Sequence, residues 1–121
     1  MNLVLAQGPG VIPPNVLSDI EESDSDILPM AFTLFQSYPN PFNASTTITY
    51  QLPQTSDIQL AIYNLDGQKV ATLVAGTREP GTYTLLWDGR DDDSHALASG
   101  VYLYRLKTGT QAQTRKLVLL R

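Results

Sequence analysis

Four carboxylates stand in one polar run, Asp88, Asp91, Asp92 and Asp93, and the chain's single histidine, His95, follows them. Clustered carboxylate oxygens are the ligands a calcium ion takes. The spacing departs from an EF-hand, without its alternating Asp/Asn positions, central glycine and distal glutamate. The residue types favour a solvated turn, with Asp88 accepting from backbone N–H groups two residues on. His95 near Ser94 and Ser99 supplies two members of a hydrolytic triad. No nucleophile-elbow pattern surrounds either serine, so His95 reads as a surface residue. With no cysteine and one histidine, a tetrahedral structural zinc site lacks its usual ligands. No phosphate-cradling glycine loop or dinucleotide fingerprint occurs. The expectation is a protein that is not an enzyme and holds no cofactor.

Aromatic side chains are the other chemical resource. Tyr38, Tyr50, Tyr63, Tyr83, Tyr102, Tyr104 and Trp87 could form a carbohydrate platform. Trp87 and Tyr83, however, alternate in step with Leu85, which assigns them to a core face. A carbohydrate-binding module is therefore the weakest of the three function classes considered.

The segments that must carry these groups read as strands. Thr46, Ile48, Tyr50 and Leu52 alternate with Thr47, Thr49 and Gln51, and Pro53 closes that run. Ile58, Leu60 and Ile62 alternate with Gln59, Ala61 and Tyr63, and Asp66-Gly67 supplies a tight hairpin turn. Lys69 to Ala75 returns, followed by a loop from Gly76 to Gly81. Thr82 to Trp87, Val101 to Leu106 and Gln113 to Leu120 complete the set, with Thr33 to Gln36 before them. About seven short strands at this spacing predict an all-β, antiparallel sandwich. Lys116 and Arg121, in the last strand, would guard its edge.

Ahead of the strands, Tyr38-Pro39-Asn40-Pro41-Phe42-Asn43 forms a stiff corner. Each proline lacks an N–H and disfavours helix in the residue before it. Tyr38 and Phe42 are expected to anchor this corner. Residues 1–31 read as an extended, proline-rich acidic leader and residues 32–121 as the sandwich. Residues 1–56 hold Asp19, Glu21, Glu22, Asp24 and Asp26 and no Lys or Arg, a charge of −5. Residues 57–121 hold seven acids and eight bases, a charge of +1, which totals −4 for the 121-residue chain. No basic stripe fits nucleic acid, and no run reaches the ~20 apolar residues of a membrane span.

The ordered motifs resemble a family. They are Leu34–Asn43, Ile62–Gly67, Trp87–Asp91, Ala98–Leu106 and Thr114–Leu120. Together they resemble the C-terminal sorting domain (type A) of type IX secretion cargo, an Ig-like domain related to that of the flagellar hook-cap protein. The resemblance covers about residues 33–121 and implies a secreted or bacterial cell-surface location. It implies that the outer-membrane secretion machinery is the partner. The positions it carries over are Tyr38, Pro39, Asn40, Pro41 and Phe42, then Gly100 and Tyr102, then Lys116, Leu117, Val118, Leu119, Leu120 and Arg121. The last group is expected to offer a terminal strand with one edge available.

Sorting domains follow a large cargo, whereas about 32 residues precede the domain in this sequence. A second expectation therefore stays open: a self-assembling surface or filament subunit, with identical copies as partners. In that reading the leader, through Val11, Ile12, Val16, Leu17, Ile27 and Leu28, adds as a strand to a neighbour.

Overall fold

The computed structural model describes residues 31–121. Seven strands form: β1 (Thr33–Leu34), β2 (Thr46–Leu52), β3 (Ser56–Tyr63), β4 (Lys69–Arg78), β5 (Gly81–Trp87), β6 (Gly100–Lys107) and β7 (Ala112–Leu119). They make two antiparallel sheets, ordered β1-β2-β5 and β4-β3-β6-β7. The expected all-β sandwich is the observed fold. Val11, Ile12, Val16, Leu17, Ile27 and Leu28, together with the rest of the leader through Met30, lie outside the described residues.

Period two decides which side chains meet between the sheets. In β2 every residue from Thr46 to Leu52 alternates buried and half-buried, as the sequence pattern requires. Ile48, Tyr50, Leu52, Leu60, Ile62, Tyr104, Leu106, Leu117 and Leu119 fill the interior at near-zero exposure. Trp87 is buried, and Tyr83 and Leu85 are half-buried against it and its neighbours. Tyr83 stacks on Tyr50 with ring centroids 5.3 Å apart.

The first strand ends at Leu34 rather than Gln36, and the return strand differs from its expectation in two ways. The return strand β4 does not stop at Ala75: it pairs with β3 as far as Ser56↔Arg78, so Gly76 is a strand residue. Its register slips at Leu60/Ala61 and again at Ile62/Tyr63. These bulges insert Leu73 and Val70 out of step, so Val70, Leu73 and Val74 all pack on the core. Simple alternation cannot reveal such insertions.

The seam between β1 and β7 is closed by side chains. Gln113 on β7 acts like a strand backbone: its amide nitrogen donates to Phe32 O and its amide oxygen accepts from Leu34 N–H. Arg115 Nε donates to Leu34 O. The two-residue strand β1 thereby has hydrogen bonds on both sides, to β2 and to β7.

Candidate functional site

The Pro corner and the terminal strand form one surface. The corner docks on both sheets at once. On one side Tyr38 exchanges two backbone hydrogen bonds with Thr47, at 3.0 and 2.8 Å. The buried Thr46 hydroxyl donates to Pro39 O at 2.7 Å. On the other side Phe42 N–H donates to Val118 O, and Leu120 N–H donates to Phe42 O. Phe42 and Leu119 therefore form a parallel bridge. Asn40 Oδ1 accepts from Val118 N–H at 2.8 Å, and Gln36 Nε2 donates to Lys116 O at 3.0 Å. The Tyr38-Pro39 and Asn40-Pro41 bonds are both cis.

This geometry corrects two expectations. Phe42 is an anchor, 3% exposed and tilted on Trp87 at 5.7 Å, which in turn meets Tyr102 edge-on at 6.1 Å. Tyr38 is not: its side chain is 79% exposed, because the corner is held through the Tyr38 backbone instead. Nor is the edge of β7 free toward its C-terminal end. The segment Gln36–Phe42 occupies Lys116 O, Val118 N–H, Val118 O and Leu120 N–H. Tyr38, Pro39, Asn40 and Pro41 stay exposed, as do Lys116 and Leu120. A shallow groove of 330 Å³ runs between Pro39, Pro41, Asn43 and Leu120 over Phe42.

Leu117 and Leu119 belong to the core, and Val118 faces outward opposite Val101. Arg121 has a different task from guarding an edge. Its Nε donates to Leu97 O and its Nη2 to Gly89 O, both at 2.7 Å, and its backbone N–H donates to Ser99 Oγ at 2.8 Å. It ties the loop between β5 and β6 to the end of β7. Gly100 opens β6, and the Tyr102 hydroxyl donates to Ala98 O at 2.7 Å, holding the same loop.

Within that loop the carboxylates separate. Asp88 lies 3.7 Å from Arg90, with both side chains exposed. The turn-forming role expected of Asp88 belongs to Asp91, whose Oδ1 accepts from Asp93 N–H and His95 N–H at 2.9 Å each. Those N–H groups, His95's first, hold the Asp91 carboxyl below its ordinary range. Asp92 reaches across to β4: its Oδ1 accepts from Thr72 N–H, and its own N–H donates to Val70 O. Asp91, Asp93 and the exposed His95 place one ligand atom each within 4.8 Å of one another. Asp91 already spends one oxygen on the turn, and Asp88 and Asp92 are turned elsewhere.

A buried residue outside the carried-over positions, Tyr104, supports this surface from beneath. The Tyr104 hydroxyl accepts from Ser37 N–H at 2.8 Å and donates to Phe35 O at 2.7 Å, just before the Pro corner. A tyrosine in phase with Tyr102 and Leu106 must face inward, and a buried hydroxyl must find partners. That was the available signal. Burial pushes its pKa up.

Two face-to-face antiparallel sheets sealed along one seam define a small Ig-like β-sandwich module. The chain belongs to the FlgD Ig-like domain family, whose match runs over residues 40–112, more than half of its length. Among solved structures, dimeric latent PorU from Porphyromonas gingivalis is similar at 20% identity and a TM-score of 0.60. That match covers 70% of this chain and 9% of PorU. PorZ of Porphyromonas gingivalis, described as an essential bacterial surface component of the type-IX secretion system, matches at 21% identity and a TM-score of 0.50. It covers 71% of this chain and 11% of PorZ. FlgD from P. aeruginosa matches at 23% identity and a TM-score of 0.48, over 61% of this chain and 57% of that one. The chain thus spans about a tenth of the length of the first two relatives, and at these identities the likeness is one of fold. Comparison with curated proteins gives no match.

Proposed function

We propose that this chain is a non-catalytic type IX secretion sorting domain, read in folded form by the outer-membrane export machinery and delivered to the cell surface. The observation that carries the reading is the Phe42–Leu119 bridge. It makes one composite surface of Tyr38–Phe42 and Lys116–Arg121, the two motifs farthest apart in sequence. An unfolded chain does not display that surface, so a receptor for it would select folded cargo. The similar folds of PorU and PorZ support the reading as analogy. The test is to fuse residues 32–121 to a passenger in a host with type IX secretion. Surface delivery is expected for the parent fusion. It should be lost when Tyr38 and Leu120, both exposed, are replaced by Asp without unfolding the domain. Unchanged delivery by that variant would sink the proposal.

A second reading, a self-assembling subunit, is favoured by β5. This strand ends the three-stranded sheet with no partner on its outer side among the described residues, and Leu86 on it is 68% exposed. Such an edge can accept an added strand. Light scattering on the full chain beside a chain starting at Phe32 separates the two readings. Multimers that vanish on truncation support the subunit; monomers in both cases exclude it.

A further inference from the structure

The outer face of the four-stranded sheet is cationic. The register aligns Lys69, Tyr63, Leu103 and Lys116 in one row across β4, β3, β6 and β7. The next row holds Thr72, Ala61, Arg105 and Thr114, and the one after it Ala75, Gln59, Lys107 and Ala112. Lys69, Arg105, Lys107 and Lys116 are all exposed, and none is in an ion pair among the described residues. They are half of the chain's eight bases. Asp57, one row beyond Gln59, is the single carboxylate on these strands' outward positions. Between the cations lies a depression of 480 Å³ lined by Tyr63, Leu103, Arg105 and Thr114. The other sheet's outer face, with Thr47, Thr49, Gln51, Thr82, Thr84 and Leu86, carries no charge.

A cationic, partly apolar face calls for an acidic segment with interspersed aliphatic residues. The chain contains one. Ser18-Asp19-Ile20-Glu21-Glu22-Ser23-Asp24-Ser25-Asp26-Ile27-Leu28 has five acids, three large aliphatics and no base. Its point of attachment is favourable. Phe32 O is bonded to Gln113 on β7, and Phe32 shares a depression with the turn Thr108–Gln111. Lys107, paired with Ala112, lies next to that turn. The three rows span roughly 13 Å at about 3.3 Å per residue. Six residues connect Asp26 to Phe32, a reach of about 20 Å when extended, so the acidic run can cover every row.

We propose that residues Asp19–Leu28 dock in cis on the outer face of the β4-β3-β6-β7 sheet, with the carboxylates against Lys69, Arg105, Lys107 and Lys116. The aliphatic side chains cover Tyr63 and Leu103. The leader then acts as a charge-matched cover that competes with any other acidic partner of this face. The inference stands independently of the sorting role.

The chain has no cysteine, so Ser23→Cys carries a single spin label in the full-length protein. Amide signals of residues 103–107 and 112–116 should be broadened at low ionic strength, whereas those of Thr49 and Thr84 on the opposite face should not. The broadening should be independent of protein concentration. It should disappear in ~1 M salt, where the screening length falls to ~3 Å, and in the R105E/K107E variant, whose amide spectrum reports that it is folded. Absence of broadening overturns the proposal. So does broadening that grows with concentration, which assigns the leader to a neighbouring copy, or broadening that persists in R105E/K107E.

Discussion

The hydroxyl of Tyr104 joins Ser37 N–H to Phe35 O, bridging the middle of β6 to the backbone that leads into the Pro corner. Two parts of the chain, β6 and the segment Phe35–Ser37, meet at this one oxygen. It sits in a fully buried residue, and its bond with Ser37 N–H is buried as well.

Replacing Tyr104 by Phe should leave Ser37 N–H and Phe35 O without their partner. The expected loss is about 1–3 kcal/mol, read from denaturant unfolding; a loss below about 0.5 kcal/mol would show that the bridge is replaceable. The pH dependence has a definite sign. Burial raises the folded pKa above the ordinary value of 10.0, so the neutral hydroxyl is favoured in the folded state. Its stabilisation is complete below that value and is lost as pH rises through the folded pKa. Tyr104→Phe should therefore flatten the alkaline limb of a stability–pH curve; Tyr50, also raised by burial, contributes in the same sense.

Phe42 couples the Pro corner to the core through Trp87. Phe42→Ala should cost about 3–5 kcal/mol. Trp87 is the only tryptophan, so its emission should shift to the red in the folded variant as the ring that shields it is removed. An unshifted spectrum with full stability would mean the corner does not depend on this contact.

Gly89 has φ +75°, and a Cβ there would lie 2.7 Å from Arg121 Nη2 and 3.3 Å from the Leu119 methyls. Gly89→Ala should lose about 1–3 kcal/mol from backbone strain, plus the displaced Arg121. Arg121→Ala alone releases Leu97 O and Gly89 O. A double-mutant cycle should give a coupling of about 0.5–3 kcal/mol. Strict additivity would separate the two residues energetically and refute the latch.

Asp91→Ala should lower the melting temperature more than Asp91→Asn, because Asn keeps an oxygen for Asp93 N–H and His95 N–H. The folded carboxyl titrates below the ordinary 3.8. Its stabilisation is present above that value and fades as pH falls through the folded pKa. The acid limb of the stability curve should thus be shallower in Asp91→Asn. Carbon-detected titration of Asp91 tests the sign directly, since a pKa at or above 3.8 contradicts the turn geometry.

The run Thr46–Leu52 needed nothing beyond alternation and Pro53 to be read as a strand with Ile48, Tyr50 and Leu52 inside. Asp66-Gly67 likewise announced its hairpin, with Gly67 at φ +84°. The β4 bulges were not legible, since Val70-Ala71-Thr72-Leu73-Val74 fits several registers equally well. The site was half legible. Proline spacing located the corner, but Tyr38 and Phe42 look equivalent in sequence, and only packing made one a core residue and the other a surface one.

The amino-acid order by itself determined the approximate strand count, the inward face of the regularly alternating strands such as Thr46–Leu52, the Asp66-Gly67 turn and the uneven charge. These depend on neighbours within a few residues, where backbone sterics and period two act. The tertiary structure decided that β2 pairs with β5 and β3 with β6, that Phe42 lies along Leu119, and that Arg121 closes on Gly89. Those contacts join residues dozens of positions apart. Local propensity is silent about such partners; burying the apolar faces of both sheets against each other selects them.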